Sequence, residues 1–261
     1  MTSLADRARS PYEDAELYDL MLDGLDFDHA YWARIAGECG GPVLDVGCGT
    51  GRVLVRLLEK GIDVDGVDNA PAMLERCRAR AAATAKKPRL ALGDMRSFEL
   101  PRRYALVICA FNAFAHCETT DEQLRALKSM RAHLEPGGSV ALHMSWPSPR
   151  YWSEPDGVPV LELETRDPRT GHRLQVWDTR FKDPVEQRQH SKMEMKELDD
   201  DGNVIAVHRS ETTQRWVYRF ELELLFRAAG FVRWEIAGGF AGETLSLEHS
   251  QMVARAWTEG A

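Results

Sequence analysis

Residues 43–52 read Val-Leu-Asp-Val-Gly-Cys-Gly-Thr-Gly-Arg, an apolar run that enters a turn with glycine at every second position. Val43, Leu44 and Val46 make a buried-strand pattern, and Gly47, Gly49 and Gly51 strip Cβ atoms from one side of the turn. Backbone of this kind takes positive φ and lets a ligand come close. The run Val53-Leu54-Val55-Arg56-Leu57-Leu58 then predicts a helix packed on a sheet. Strand, glycine turn and helix open a nucleotide-type binding unit, with amide N–H groups at the helix N-terminus turned to the ligand. The spacing is Gly-x-Gly-x-Gly, so the dinucleotide fingerprint Gly-x-Gly-x-x-Gly is not met. Asp45, just before the turn, would repel a pyrophosphate. A carboxylate there suits a cationic or zwitterionic ligand.

The segments downstream agree. Residues 62–68 read as a second strand ending in Asp68, about 20 residues past the turn, where a carboxylate would hold a ribose diol. Residues 90–95 give a third strand ending in Asp94, and residues 104–111 a fourth. Strand and helix alternate over 43–47, 51–60, 63–68, 71–84, 89–93, 105–111, 121–134 and 139–145. This order predicts an α/β fold: a doubly wound, mostly parallel Rossmann-like sheet with helices on both faces. Pro71 fits a first-turn proline, and Glu135-Pro136-Gly137-Gly138 is expected to stop a helix before the fifth strand. After Pro147 and Pro149 the period changes to two, over 158–166, 172–182, 187–198 and 204–217. These predict an inserted antiparallel β lid. A helix at 219–229 and strands at 231–237 and 250–257 are expected to complete the main sheet as its antiparallel edge. The reading divides the chain into a helical cap (1–40), a binding core (41–150), a β insert as acceptor lid (151–218) and a C-terminal completion (219–261). Residues 1–10 are expected to be disordered, with helices at 13–22 and 27–39 covering the site.

Charge and cysteine usage narrow the function. The formal net charge of −8 argues against a nucleic-acid partner, which needs a basic face. The basic residues of 76–80 and 86–89 read as a solvated helix face. No window reaches the ~18 consecutive apolar residues of a membrane span, and the N-terminus has no signal-like apolar core. A cytoplasmic protein with no membrane partner is expected. The five cysteines and eight histidines are dispersed, which predicts free thiols and no metal site.

The glycine turn with Asp45, Asp68 and Asp94 resembles the class I S-adenosylmethionine-dependent methyltransferases, bacterial small-molecule type, over roughly residues 12–150. The cofactor this implies, S-adenosyl-L-methionine, carries an ammonium, a carboxylate and a sulfonium but no phosphate, as Asp45 requires. The resemblance implies that Gly47, Cys48 and Gly49 hold the methionine moiety and that Asp45 orients its ammonium. Asp68, with Asn69 beside it, would take the ribose; Asp94 would accept from the adenine amino group and the Met95 amide would bind a ring nitrogen. The Ala110–Phe111 backbone, with Asn112 next, would lie under the ammonium, and Tyr18 would close over the cofactor. The run Asn112-Ala113-Phe114-Ala115-His116 is similar to that of glycine N-methyltransferases. Gly93-Asp94-Met95-Arg96-x-Phe98 is similar to that of aminosugar N,N-dimethyltransferases. No sugar-nucleotide diphosphate site is evident.

Transfer to a small-molecule acceptor is therefore expected, with amine nitrogen preferred over oxygen. His116 is the first candidate for a base, His143 the second, and Tyr18 a further catalytic candidate; Tyr12 is weaker. Asn112, His116, Trp146 and Trp152 are the candidate acceptor contacts, while Trp177, Trp216 and Tyr218 read as core. Arg52 and Arg96 are expected at Asp45, at the ligand carboxylate or on the surface. A monomer or homodimer is expected. Two readings stay open beside transfer: other chemistry on the same cofactor, such as intramolecular cyclisation or a lyase-like reaction, and a non-catalytic cofactor-binding subunit.

Overall fold

The computed structural model describes residues 10–22 and 24–260. The expected disorder of residues 1–10 thus falls, except for Ser10, outside the described residues. Two helices, α1 (Ala15–Leu22) and α2 (His29–Cys39), precede the core. Then β1 (Val43–Val46), α3 (Arg52–Glu59), β2 (Val64–Asp68), α4 (Pro71–Arg80), β3 (Leu90–Leu92) and β4 (Tyr104–Cys109) alternate. They are followed by α5 (Thr120–Ala132), β5 (Leu134–Ser145) and the short α6 (Pro149–Ser153). Four strands come next: β6 (Pro159–Arg166), β7 (Arg173–Asp183), β8 (Arg188–Leu198) and β9 (Val204–Arg215). The chain closes with α7 (Arg219–Ala229), β10 (Arg233–Ala237) and β11 (Gln251–Trp257).

Seven strands form one mixed sheet in the order β10-β11-β5-β4-β1-β2-β3. Strands β1 to β5 run parallel, and the strand order reverses between β1 and β4. That reversal leaves a crevice beyond their carboxyl ends, the place where open α/β sheets bind ligands. Strand β1 is buried along its whole length, Asp45 included, and α3 buries Val53, Leu54, Val55, Leu57 and Leu58 beside it. The expected antiparallel edge takes a more particular form. Strand β11 is antiparallel to β5 on one side and to β10 on the other, so β10 is the edge and runs in the direction of β5. Helix α7 brings β10 in with one strand's width still open, and the returning β11 fills it. Glu135–Gly138 also differs from the expected helix stop: it lies inside β5, where the register against β4 shifts between Tyr104 and Leu106.

The second sheet is a four-stranded antiparallel meander, β6-β7-β8-β9. Its apolar residues Leu174, Val176 and Met195 pack on Leu17, Leu20 and Met21 of α1. The other side of α1 is tied to the core. Arg76 Nε and Arg80 donate to the buried Asp19 at 2.6 and 2.9 Å. Those two arginines were expected on a solvated face; they serve instead to hold α1 between the insert and α4.

Candidate active site

The glycine turn adopts the geometry that its composition demands. Gly47 and Gly49 have φ of +70° and +54°. A Cβ on Gly47 would stand 2.8 Å from that of Ala113, and one on Gly49 would meet the ring of Tyr18. Asp68 braces the turn from β2: its Oδ2 accepts from Gly49 N–H at 2.8 Å and its Oδ1 from Ala70 N–H at 2.9 Å. The far wall is the turn after β4. Phe111 and Asn112 both have positive φ, +50° and +63°, a conformation that costs about 1–3 kcal/mol per non-glycine residue. Strand β5 holds that strain in place. Phe111 N–H donates to His143 Nδ1 (3.2 Å), Asn112 N–H to the His143 carbonyl (3.0 Å), and Ser145 N–H to Asn112 Oδ1 (2.6 Å).

Between these walls lies a cavity lined by Tyr18, Asp45, Gly47, Cys48, Gly49, Asp68, Asn69, Asp94, Met95, Ala110, Phe111 and His116, with Tyr12 and Arg52. Asn112 faces the neighbouring chamber instead. Burial pushes the Asp45 carboxyl up to about 7, against the pull of Arg52. Arg52 itself binds the buried Asp28 in bidentate fashion, at 2.6 and 2.7 Å, and its guanidinium lies over the Phe111 ring. Arg96 takes both oxygens of Asp94 and also reaches Glu122. Burial raises the Asp68 carboxyl, with three backbone N–H groups opposing it, and raises the Tyr18 phenol to about 12.

His116 stands where this cavity meets Tyr12. The Tyr12 hydroxyl lies 2.7 Å from His116 Nε2. Burial holds His116 below the usual histidine range, opposed only by a hydrogen bond to the Thr213 backbone of β9. Burial also holds the Tyr12 phenol well above its usual value. A neutral phenol therefore donates to a neutral imidazole. His143 differs. It lines neither cavity, its Nδ1 is committed to Phe111, and burial lowers it to about 4. It shapes the β4 turn and has no free lone pair for a base.

A second chamber of about 890 Å³ opens between this site and the insert, within the usual range for small-molecule sites. Tyr12, Tyr18 and Phe111 belong to both spaces. Asn112 and Trp146 line the chamber, and Trp146 Nε1 is buried there without a partner among the described residues. Trp152 does not line it; its indole N–H is spent on the Tyr218 hydroxyl at 2.9 Å. Trp216, read as core, is buried yet lines the chamber, beside Tyr151, Asp178, Gln189 and Ser191. The sequence also offered Tyr151 as a pocket wall, in an aromatic cluster with Trp146 and Trp152, but gave no role to Asp178, Gln189 or Ser191. Their signal was a polar break in an inward face, Leu174-x-Val176-x-Asp178-x-Arg180, where period two calls for apolar residues.

The cavity fits S-adenosylmethionine on its own chemistry. It offers a buried carboxyl beside a guanidinium for an amino-acid end, acids at the β2 and β3 ends for a nucleoside, and a Cβ-free turn between them. Residues 43–138 match the methyltransferase-domain family. The chain is similar to the dTDP-3-amino-3,4,6-trideoxy-alpha-D-glucopyranose N,N-dimethyltransferase of Streptomyces venezuelae, at 28% identity covering 89% of this chain and 96% of that one. Among solved structures it is similar to the CcbJ methyltransferase of Streptomyces caelestis, with TM-score 0.78 and 24% identity over 97% of this chain and 99% of that one. It is also similar to the amino pentose methyltransferase CalS10 of Micromonospora echinaspora, solved with its cofactor bound, with TM-score 0.69 and 26% identity over 95% and 99%. Fold, site and relatives define a class I S-adenosylmethionine-dependent enzyme. The chain carries a methyltransferase domain over residues 43–138 and is an S-adenosylmethionine-dependent methyltransferase. No helix among the described residues is long and apolar enough to cross a membrane, and no group of residues among them is arranged to hold a metal ion.

Proposed function

We propose that the acceptor group is an amine of an unphosphorylated small molecule, bound in the chamber, and that Tyr12 and His116 receive its proton. The observation that carries this reading is the 2.7 Å contact of Tyr12 Oη with His116 Nε2 at the junction of cavity and chamber. The bound cofactor supplies a methyl group already activated on sulfonium. The chain's part is to position a neutral nitrogen and to take up its surplus proton. Tyr12 faces the chamber, so the amine N–H bond breaks toward the Tyr12 oxygen while the Tyr12 proton passes to His116 Nε2. Tyr12 ends unchanged and His116 ends as imidazolium, which the Thr213 backbone hydrogen bond supports. Asp45 and Arg52 would hold the amino-acid end of the cofactor, Asp68 the ribose, and Asp94 with Met95 the adenine. Asn112 and Trp146 would contact the acceptor. The relatives' printed acceptors, an amino-glucopyranose and an amino pentose, support an amine. The chamber's carboxylates argue against the nucleotide diphosphate that the first of them carries.

The test is labelled-methyl transfer to a panel of amines and matched alcohols, with wild type and His116→Ala. Transfer to amines is expected. The variant should lose about 10²–10⁴-fold in turnover while keeping its affinity for S-adenosylhomocysteine. Preferential transfer to alcohols, or equal loss of turnover and affinity, would overturn the assignment.

A further inference from the structure

The chamber's insert wall carries a hydrogen-bond chain that runs in one direction only. Trp216 Nε1, which can only donate, donates to the Tyr151 hydroxyl at 3.2 Å. Tyr151 donates to Gln189 Oε1. Gln189 Nε2 donates to Ser191 Oγ at 2.7 Å, and Ser191 donates to Asp178 Oδ2 at 3.3 Å. Arg180 Nε donates to the same oxygen at 2.8 Å. An indole N–H at one end and a carboxylate at the other leave no alternative orientation for the groups between them. Everything in the chain serves to fix Asp178.

Asp178 is 6% exposed and lines the chamber, yet its second oxygen, Oδ1, is buried and has no partner among the described residues. Leaving a buried carboxylate oxygen unpaired is unfavourable. Its charge is also not balanced locally. Arg180 is shared between Asp178 and Glu162, so the three groups together keep a negative charge. Across the chamber lining, Glu154, Glu162, Asp178 and Glu248 stand against Arg150 and Arg180. A hydroxyl would satisfy Oδ1 but leave the charge; an ammonium would do both.

We propose that Asp178 anchors a second, cationic amino group of the acceptor, remote from the nitrogen that is methylated, so that the acceptor is a diamine or polyamine. This rests on the chamber being the acceptor site.

The test is calorimetric titration of the protein, saturated with S-adenosylhomocysteine, with the α,ω-diaminoalkanes from propane- to octane-diamine and with the matching amino alcohols. The best diamine is expected to bind at least about tenfold more tightly than its amino alcohol. Asp178→Asn should bring the two within about twofold of each other, with S-adenosylhomocysteine affinity unchanged as the measure of an intact fold. If that variant does not fold, Asp178→Ser, smaller and also neutral, should give the same loss. Amino alcohols binding as tightly as diamines, no diamine binding, or a diamine preference that survives at neutral residue 178 would each overturn the proposal. Because the readout is binding, the two readings separate. Diamines that bind and are never methylated sink the amine-transfer reading alone, and amines methylated without a diamine preference sink this one alone.

Discussion

Asp45 illustrates how one buried side chain links the sheet to the ligand. It is fully enclosed at the carboxyl end of β1, and burial raises its carboxyl from 3.8 to about 7. A raised carboxyl binds its proton more tightly in the folded chain than in the unfolded one. Its contribution to stability is therefore complete below 3.8 and is lost as pH rises through about 7. A ligand ammonium reverses the preference, because it is attracted to the ionised form. Cofactor affinity should then rise with pH up to about 7 and level off above it. Below that point, dissociation constants for S-adenosylhomocysteine should weaken by about tenfold per pH unit. Calorimetry across that range, with Asp45→Asn alongside, checks it. A flat wild-type profile would place the ammonium elsewhere. His116 adds a separate limb. Its lowered proton affinity predicts that turnover, not binding, falls as pH drops through a point below the usual histidine value.

The cofactor wall depends on elements far apart in sequence. Arg52, the first residue of α3, binds Asp28, the residue before α2, through two parallel hydrogen bonds, while its face stacks over Phe111 and Phe27. Asp28 is fully buried and also accepts from the Trp32 indole at 2.9 Å. Breaking such a pair strands a charge. Asp28→Ala should cost about 3–5 kcal/mol of stability, read as a chemical-denaturation midpoint, and weaken cofactor binding through the displaced Arg52. A loss under ~1 kcal/mol would show that the pair relaxes into water. At this scale much was legible from sequence. Strand β1 and helix α3 follow from apolar runs with glycine between them, because a sheet covered on both faces favours hydrophobic strands. The pairing of Arg52 with Asp28 was not legible. Arg52 was weighed against Asp45 and a ligand, since nothing in a local pattern says which acid a long side chain will meet. The same limit explains His143: a strand-end histidine looks like a base until the Phe111 amide is seen to occupy its nitrogen.

The chamber proposed for the acceptor lies between the main sheet and the insert, so it exists only while the insert stays docked. Period two in the sequence revealed the insert's strands but not its docking, which is fixed by side chains at strand and helix ends. The main latch among the described residues is Arg215, at the end of β9 and 8% exposed. It donates to Gln123 of α5 at 2.8 Å, to Gln187 ahead of β8 at 2.7 Å and to Glu221 of α7 at 2.7 Å. One guanidinium thus joins the insert to two core helices. The same strand end carries Thr213, whose backbone holds His116, so docking and the placement of the proposed base share a support. Arg215→Leu keeps the apolar bulk and removes the fork. It should lower stability by roughly 2–3 kcal/mol, since Glu221 is partly solvated and loses less than a fully buried acid would. The cofactor cavity, lined by the N-terminal segment and the main sheet, should keep its affinity for S-adenosylhomocysteine within about twofold. The acceptor KM should rise and turnover should fall together, as the chamber wall and His116 both loosen. A variant that loses cofactor affinity in step with acceptor affinity would mean that the two spaces are a single cooperative site, and the division of labour between the sheets would not hold.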